Sequence, residues 1–360
     1  MQSFDRSFRR SFRRSFRRSF IRAFIALLIS LILPAGSLVA QARGYRVTRR
    51  IPVAGDGSWD FLTVDAAARR LYVTHGTRVQ VLDIDADTLV GEIPNTPGVH
   101  GVAIAPDVGR GFTSNGRAAS VTIFDLRTLA TLDSVKVTGE GPDAIVYDSA
   151  SRRVFTFNGR SHNATAIDAA TGRVVGTIPL SGKPEVAVSD GAGRIFVNIE
   201  DRSEISTLDP NALTVVASWP LPGCEEPSGL ALDRAHRRLF VVCSNSRMLV
   251  VNADGGAVVA TLPIGARVDG TAFDPETQLA FSSNGEGTMT VVAEETPDRY
   301  RVVANVQTER GARTVALDPR THHVFTATAQ LTPPEPATET NPRPRPGIVP
   351  GTFVVLVLSP

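Results

Sequence analysis

Beyond residue 43 the apolar residues fall in short runs of Val, Ile, Phe, Leu and Thr cut by Gly, Asp and Asn. No stretch keeps the 3.6-residue period of an amphipathic helix. Such runs predict strands, and their even spacing predicts an architecture of repeats. Segments that read apolar-x-apolar-Asp, then four or five residues, then basic-apolar-aromatic, bring Asp65, Asp148, Asp190, Asp233, Asp274 and Asp318 into one column, with Ala105 filling the remaining place. Successive spacings of 40, 43, 42, 43, 41 and 44 residues define seven copies of a unit of about 42.

Each unit reads as four strands, lettered a to d in chain order. GLALD and AIVYD exemplify strand a, RRLYVTH and RRVFTFN strand b, SVTIFD and ATAIDA strand c, and TLVGEIP and RVVGTIPL strand d. A second column, Asp83, Asp125, Asp168, Asp209 and Asn252, marks the c–d corner, where a short polar side chain caps backbone N–H groups. Four strands every ~40–45 residues is the pattern of a propeller blade, so the expected fold class is all-β: a seven-bladed β-propeller of four-stranded blades. Residues 45–53 (YRVTRRIPV) read as a d strand with nothing before it, and residues 352–358 (TFVVLVL) as a c strand with no d after it. The N-terminal strand is therefore expected to close the last blade and remove the open edge. Residues 329–350 form a Pro-rich insertion in the b–c loop of the seventh unit.

The units RRLYVTHG, RRVFTFNG and RRLFVVCSN, each following a P-x-G/A-x-A-x-D type strand, resemble the YVTN-type repeats of exported, YncE-like seven-bladed propellers. The resemblance covers essentially all of residues 45–360. It implies the fold, but it is weak for activity, because such repeats occur in binding proteins, cell-surface proteins and domains of redox enzymes.

The first 42 residues are of another kind. SFRR recurs almost perfectly, the apolar run FIALLISLIL follows, and Ala40 and Ala42 supply a small-residue cleavage pattern. This predicts a signal peptide over residues 1–42 and a propeller over 43–360, with a periplasmic or secreted location. Arg17-Arg18-Ser19-Phe20-Ile21-Arg22 resembles the twin-arginine export motif; the general secretory route is the alternative. The leader also conceals the charge of the remainder. The whole chain carries 38 basic and 36 acidic residues, but residues 1–42 hold eight Arg and one Asp, leaving 30 against 35. An acidic chain with few aromatic residues disfavours nucleic acid as the main ligand. CxxCH, HExxH, GxSxG and a Gly-rich phosphate loop are all missing.

Because all blades share one register, a column becomes a ring in space. The residue that opens strand a at the channel mouth is Asp60, His100, Asp143, Glu185, Ser228, Asp269 and Arg313 in turn. Carboxylates with one imidazole suit a divalent ion, for which Asp60, His100, Asp143 and Asp269 are the candidate ligands. Crowding of like charges would raise the pKa of some of them, making Asp143, Glu185 and His100 the candidate acid, base or proton-shuttle groups. A wet, solvated mouth neutralised by Arg313 is the plainer alternative.

The end of strand b supplies a second ring at the same rim: His75, Asn115, Asn158, Asn198, Cys243, Asn284 and Thr328. Arg117 and Arg160, within two NGR motifs, join Arg78, Arg202 and Arg247 in b–c loops and offer forks to an anionic ligand. Cys224 and Cys243 meet across an a–b hairpin and are expected to form a disulfide. His162 reads as a solvated surface histidine, His236 lies in an a–b turn and His322-His323 in the a–b turn of the seventh unit, and Asp83, Asp85 and Asp87 read as turn caps. The expected function is a monomeric, non-catalytic propeller that binds a protein partner or small ligand at its rim. A metal-dependent hydrolase or lactonase acting at the channel mouth is the alternative.

Overall fold

The computed structural model describes residues 44–334, 336, 338 and 346–360; the expected signal peptide lies outside them. Seven four-stranded antiparallel sheets follow one another along the chain. Strand a is Trp59–Asp65 in blade one, Val99–Ala105 in two, Pro142–Asp148 in three, Pro184–Ser189 in four, Pro227–Asp233 in five, Val268–Asp274 in six and Ala316–Asp318 in seven. Among the described residues from Arg46 onward the only helical elements are two single 3-10 turns, Pro106–Val108 and Glu200–Arg202.

Ring closure is as expected. In blade seven, Ala316–Asp318 pairs with His323–Thr328, which pairs with Val354–Ser359, which pairs with the N-terminal strand Arg46–Pro52. The register runs from Arg46 opposite Ser359 to Pro52 opposite Val354, so the two ends of the chain share one sheet. A strand with an unpaired edge invites association with other chains, and this pairing removes it.

Why these residues form these elements is visible in the columns. Strand b carries an aromatic at one column position in every blade, Tyr72, Phe112, Phe155, Phe196, Phe240, Phe281 and Phe325, third in the strand except in blade four, where it is second, and each is fully buried. These rings fill the space between neighbouring sheets, and truncating one to Ala in such a core costs about 3–5 kcal/mol. The corner aspartates act as caps: Asp83 Oδ1 accepts from the N–H of Asp85 and Ala86, both at 2.8 Å, and Asp209 Oδ1 from Asn211 and Ala212, both at 2.9 Å. Backbone donors hold Asp125 and Asp209 below the usual carboxylate range, joined at Asp168 by the Thr171 hydroxyl. Apolar side chains left exposed, such as Leu89, Val90 and Leu132, lie on the outer d strands.

The innermost strands crowd at the axis. Gly101, Gly229 and Gly270 directly follow a ring position; a Cβ on Gly229 would lie 2.8 Å from the Asp269 carbonyl oxygen, and one on Gly270 2.9 Å from the Val315 nitrogen. Only glycine allows that approach. The Pro-rich insertion is anchored by Leu331–Pro334 paired with Pro346–Ile348.

Candidate functional site at the channel mouth

Every ring residue predicted on strands a of blades one to six sits at a break in register. Strand a loses step with strand b between Trp59 and Leu62, Val99 and Val102, Pro142 and Ile145, Pro184 and Ala187, Pro227 and Leu230, and Val268 and Gly270. Asp60, His100, Asp143, Glu185, Ser228 and Asp269 fall inside these six intervals. A bulge frees one residue from the ladder and re-aims its side chain, so the repeat itself turns one side chain per blade out of the sheet. Blade seven differs, since its strand a starts only at Ala316 and leaves Arg313 before it. There the backbone pairs sideways: the Arg313 carbonyl accepts from Gly270 N at 3.0 Å and from the Ser283 hydroxyl.

Three of these residues form one cluster. His100 Nδ1 lies 2.6 Å from Asp60 Oδ2 and 3.5 Å from Asp143 Oδ1. One donor atom from each of the three lies within 4.8 Å of the others. The imidazole fits because Gly116, in the adjoining b–c turn, has no side chain: a Cβ there would stand 2.6 Å from His100 Nε2. Asp269 is held by Arg313, Nε to Oδ2 at 3.3 Å. Ser228 Oγ is buried and has no hydrogen-bond partner.

Glu185 brings in two residues that the columns do not mark. Lys183 Nζ is 2.8 Å from Glu185 Oε1 and also contacts Glu200. Lys183 lies in the loop before strand a and Glu200 opens the 3-10 turn Glu200–Arg202, both outside the strands of the repeat. The available signal was composition, since Lys183 is one of two lysines in a chain whose other basic residues are arginines.

The charges explain the titration. Burial and the charge of Asp60 raise Asp143 to about 6, against the opposing pull of His100 and Lys183. Burial raises Asp269 to about 7 despite Arg313, with Asp60 and Asp143 adding to the rise. Glu185 also goes up, through burial and then Asp143, although Lys183 opposes it. Burial alone would lower His100, but the hydrogen bond to Asp60 and the charges of Asp143, Asp60 and Glu185 outweigh it and raise the imidazole. Negative charge is thus in excess where side chains are withdrawn from bulk water yet open to the channel, Asp143 and Asp269 each keeping 28% exposure.

The second predicted ring has another role. His75, Asn115, Asn158, Asn198, Cys243 and Asn284 are fully buried and Thr328 nearly so. Asn115 Nδ2 donates to Thr122 Oγ1 at 2.9 Å, Asn158 Nδ2 to Thr165 Oγ1 at 2.9 Å, and Asn198 Nδ2 to the Ser228 carbonyl at 2.8 Å. These side chains clip strands together and are out of a ligand's reach. Arg117 and Arg160 are exposed, their stems lying over Gly98 and Gly141. Cys224 and Cys243 form a disulfide within blade five. His162 is exposed, and His236, in the a–b turn of blade five, is about one-third exposed with its Nδ1 between two buried carboxylates.

No family model matches the chain, and no curated protein matches it. Among solved structures it is similar to Kuenenia stuttgartiensis hydrazine synthase, with a TM-score of 0.67 and 17% identity over 76% of this chain and 94% of that one. It is also similar to U3-55K, with a TM-score of 0.71 and 8% identity over 88% of this chain and 99% of that one. At these identities the likeness is one of fold.

Proposed function

We propose that this chain is an exported, YncE-like binding propeller whose channel mouth holds a divalent cation and uses it to capture a ligand without chemistry. The observation that carries this reading is the convergence of Asp60, His100 and Asp143, three donors on three different blades within 4.8 Å. Two carboxylates and one imidazole suit Mn²⁺, Ca²⁺ or a related ion. An ion would relieve the excess negative charge that raises Asp143 and Asp269. With Arg117 and Arg160 exposed on b–c turns, such a mouth suits a small molecule or a protein side chain bearing carboxylate or phosphate oxygens. The protein acts as a monomer in this proposal.

Elemental analysis of protein purified without chelator tests the reading. Wild type should carry about one equivalent of divalent metal more than an Asp60→Asn/Asp143→Asn variant, and equal metal content in the two would refute it.

A second reading, a metal-dependent hydrolase or lactonase, is favoured by one observation. Asp143 and Asp269 titrate at about 6 and about 7, where a carboxyl group can give and take protons near neutrality. Turnover of lactones or esters that Asp143→Asn abolishes would support it; metal and ligand binding without turnover favours the first reading.

A further inference from the structure

The opposite rim, where strands a turn into b and c into d, carries a departure from the repeat. The column aspartate is buried in five blades, as Asp148, Asp190, Asp233, Asp274 and Asp318. For three of them the following blade supplies an Arg or His partner from the last residue of its a–b turn. Arg237 Nη1 lies 3.0 Å from Asp190, His322 Nδ1 2.7 Å from Asp274, and Arg69 Nη1 2.6 Å from Asp318. Asp148 accepts instead from Ser189 Oγ at 2.5 Å. For Asp233 the corresponding residue of the following blade is Gln278, which carries no charge.

The same blade breaks a second column. At the end of strand c a backbone N–H bonds the carbonyl of that last turn residue: Ile84 to Arg69, Ala169 to Arg152 and Ala253 to Arg237 just past the strand, and Glu294 to Gln278 within the longer strand Thr288–Thr296 of blade six. Three blades bury an apolar side chain there, and blade six buries a carboxylate, 1% exposed. A positive residue has been lost and a negative one gained beside Asp233.

What faces Glu294 does not satisfy it. His236 Nδ1 lies 2.7 Å from Asp233 Oδ2 and 2.8 Å from Glu294 Oε1, so its one N–H can serve only one of them, and neither Glu294 oxygen has a hydrogen bond of good geometry. The other nearby donors are committed. Arg238 donates to the carbonyls of Pro297, His236 and Arg237 and to Asp298, and the Tyr300 hydroxyl donates to the Pro297 carbonyl. An ionised, unpartnered carboxylate in such a place is costly unless a cation or a proton joins it.

We propose that Asp233, His236 and Glu294 bind a divalent transition-metal ion of the Zn²⁺ or Mn²⁺ class, clamping the a–b turn of blade five to strand c of blade six. One imidazole nitrogen and two carboxylates make a borderline-hard donor set suited to those ions, with one donor atom of each residue within 4.8 Å of the others. His236, one-third exposed, gives the ion a route in from solvent. The ion supplies the positive charge that Arg69 and Arg237 supply to the column aspartates of other blades.

The test uses the full propeller, freed of metal by chelation, in an Asp60→Asn/Asp143→Asn background that silences the channel mouth. Zn²⁺ titrated calorimetrically should bind with a stoichiometry of one and raise Tm. Adding Glu294→Gln, which keeps shape and removes charge, should weaken binding at least tenfold, since loss of even an outer-shell partner costs roughly 10–100-fold. The same change should leave the metal-free Tm equal or higher and abolish the Zn²⁺-induced rise. His236→Asn, at a partly exposed turn residue, should lose binding in the same way and supplies the test if Glu294→Gln misfolds. Absence of Zn²⁺ binding in the mouth-silenced protein, or undiminished affinity in either added variant, would overturn the proposal. Neither outcome bears on the mouth, whose two carboxylates next to His100 are already replaced.

Discussion

At the scale of single residues, position in a column decides what a side chain does, and departures from a column mark the sites. Gly116 illustrates the first point. It sits in an ordinary Asn-Gly turn, yet its missing side chain is what lets His100 stand beside Asp60, since a Cβ would come within 2.6 Å of Nε2. Gly116→Val should displace the imidazole and weaken metal binding at the mouth about tenfold or more, as expected when a ligand's support is lost. Titration with Mn²⁺ beside wild type measures this, and unchanged affinity would show that His100 is not a ligand. Asp60, His100, Asp143 and Asp269 were legible in the sequence because one register repeats around the ring. Lys183 and Glu200 were not, because they lie outside the strands of the repeat. The pairing of His236 with Glu294 was not legible, because Glu294 lies on another blade, at a position where Ile84, Ala169 and Ala253 give no reason to expect charge.

At the scale of elements, strands a and b of blades one to six combine a ladder with one break, and the break places the ring residues. The a–b hairpin of blade five is additionally stapled by Cys224–Cys243, which closes a segment of 19 residues. A cross-link over a loop of that length stabilises by about 3 kcal/mol through the unfolded state. Replacing both cysteines with Ala should cost that much in denaturant unfolding, with metal content unchanged. A loss below about 1 kcal/mol would mean that packing of Leu239, Val241 and Leu249 around the bridge suffices without it. Strand boundaries and the closing pair at the chain ends could be read from apolar runs and turn residues alone. The shortening of strand a in blade seven could not, because it follows from lateral pairing of Arg313 with Gly270 across blades.

At the scale of the whole molecule, the ring gathers acidic groups at one mouth, and this sets how stability responds to pH. Carboxyl groups at about 6 and about 7, Asp143 and Asp269, bind protons in the folded state that the unfolded chain has released. Their stabilisation is complete below the unfolded carboxylate pKa, near 4, and is lost as pH rises through 6 to 7. His100, also raised, acts in the same direction, its contribution lost as pH rises above the ordinary imidazole range. The metal-free protein should therefore melt at a higher temperature near pH 5 than near pH 8, and Asp143→Asn/Asp269→Asn should flatten that slope. Turn-capping carboxylates such as Asp125 and Asp209, held below the usual range, lose their contribution only at more acidic pH. A Tm that climbs steadily from pH 5 to pH 8 would contradict the charge excess. The most direct test of the mouth as a cation site is an anomalous-difference map from crystals of the propeller soaked in Mn²⁺. A peak bonded to Asp60, His100 and Asp143 at the channel mouth is the predicted result, and a mouth without a peak at saturating Mn²⁺ would contradict it.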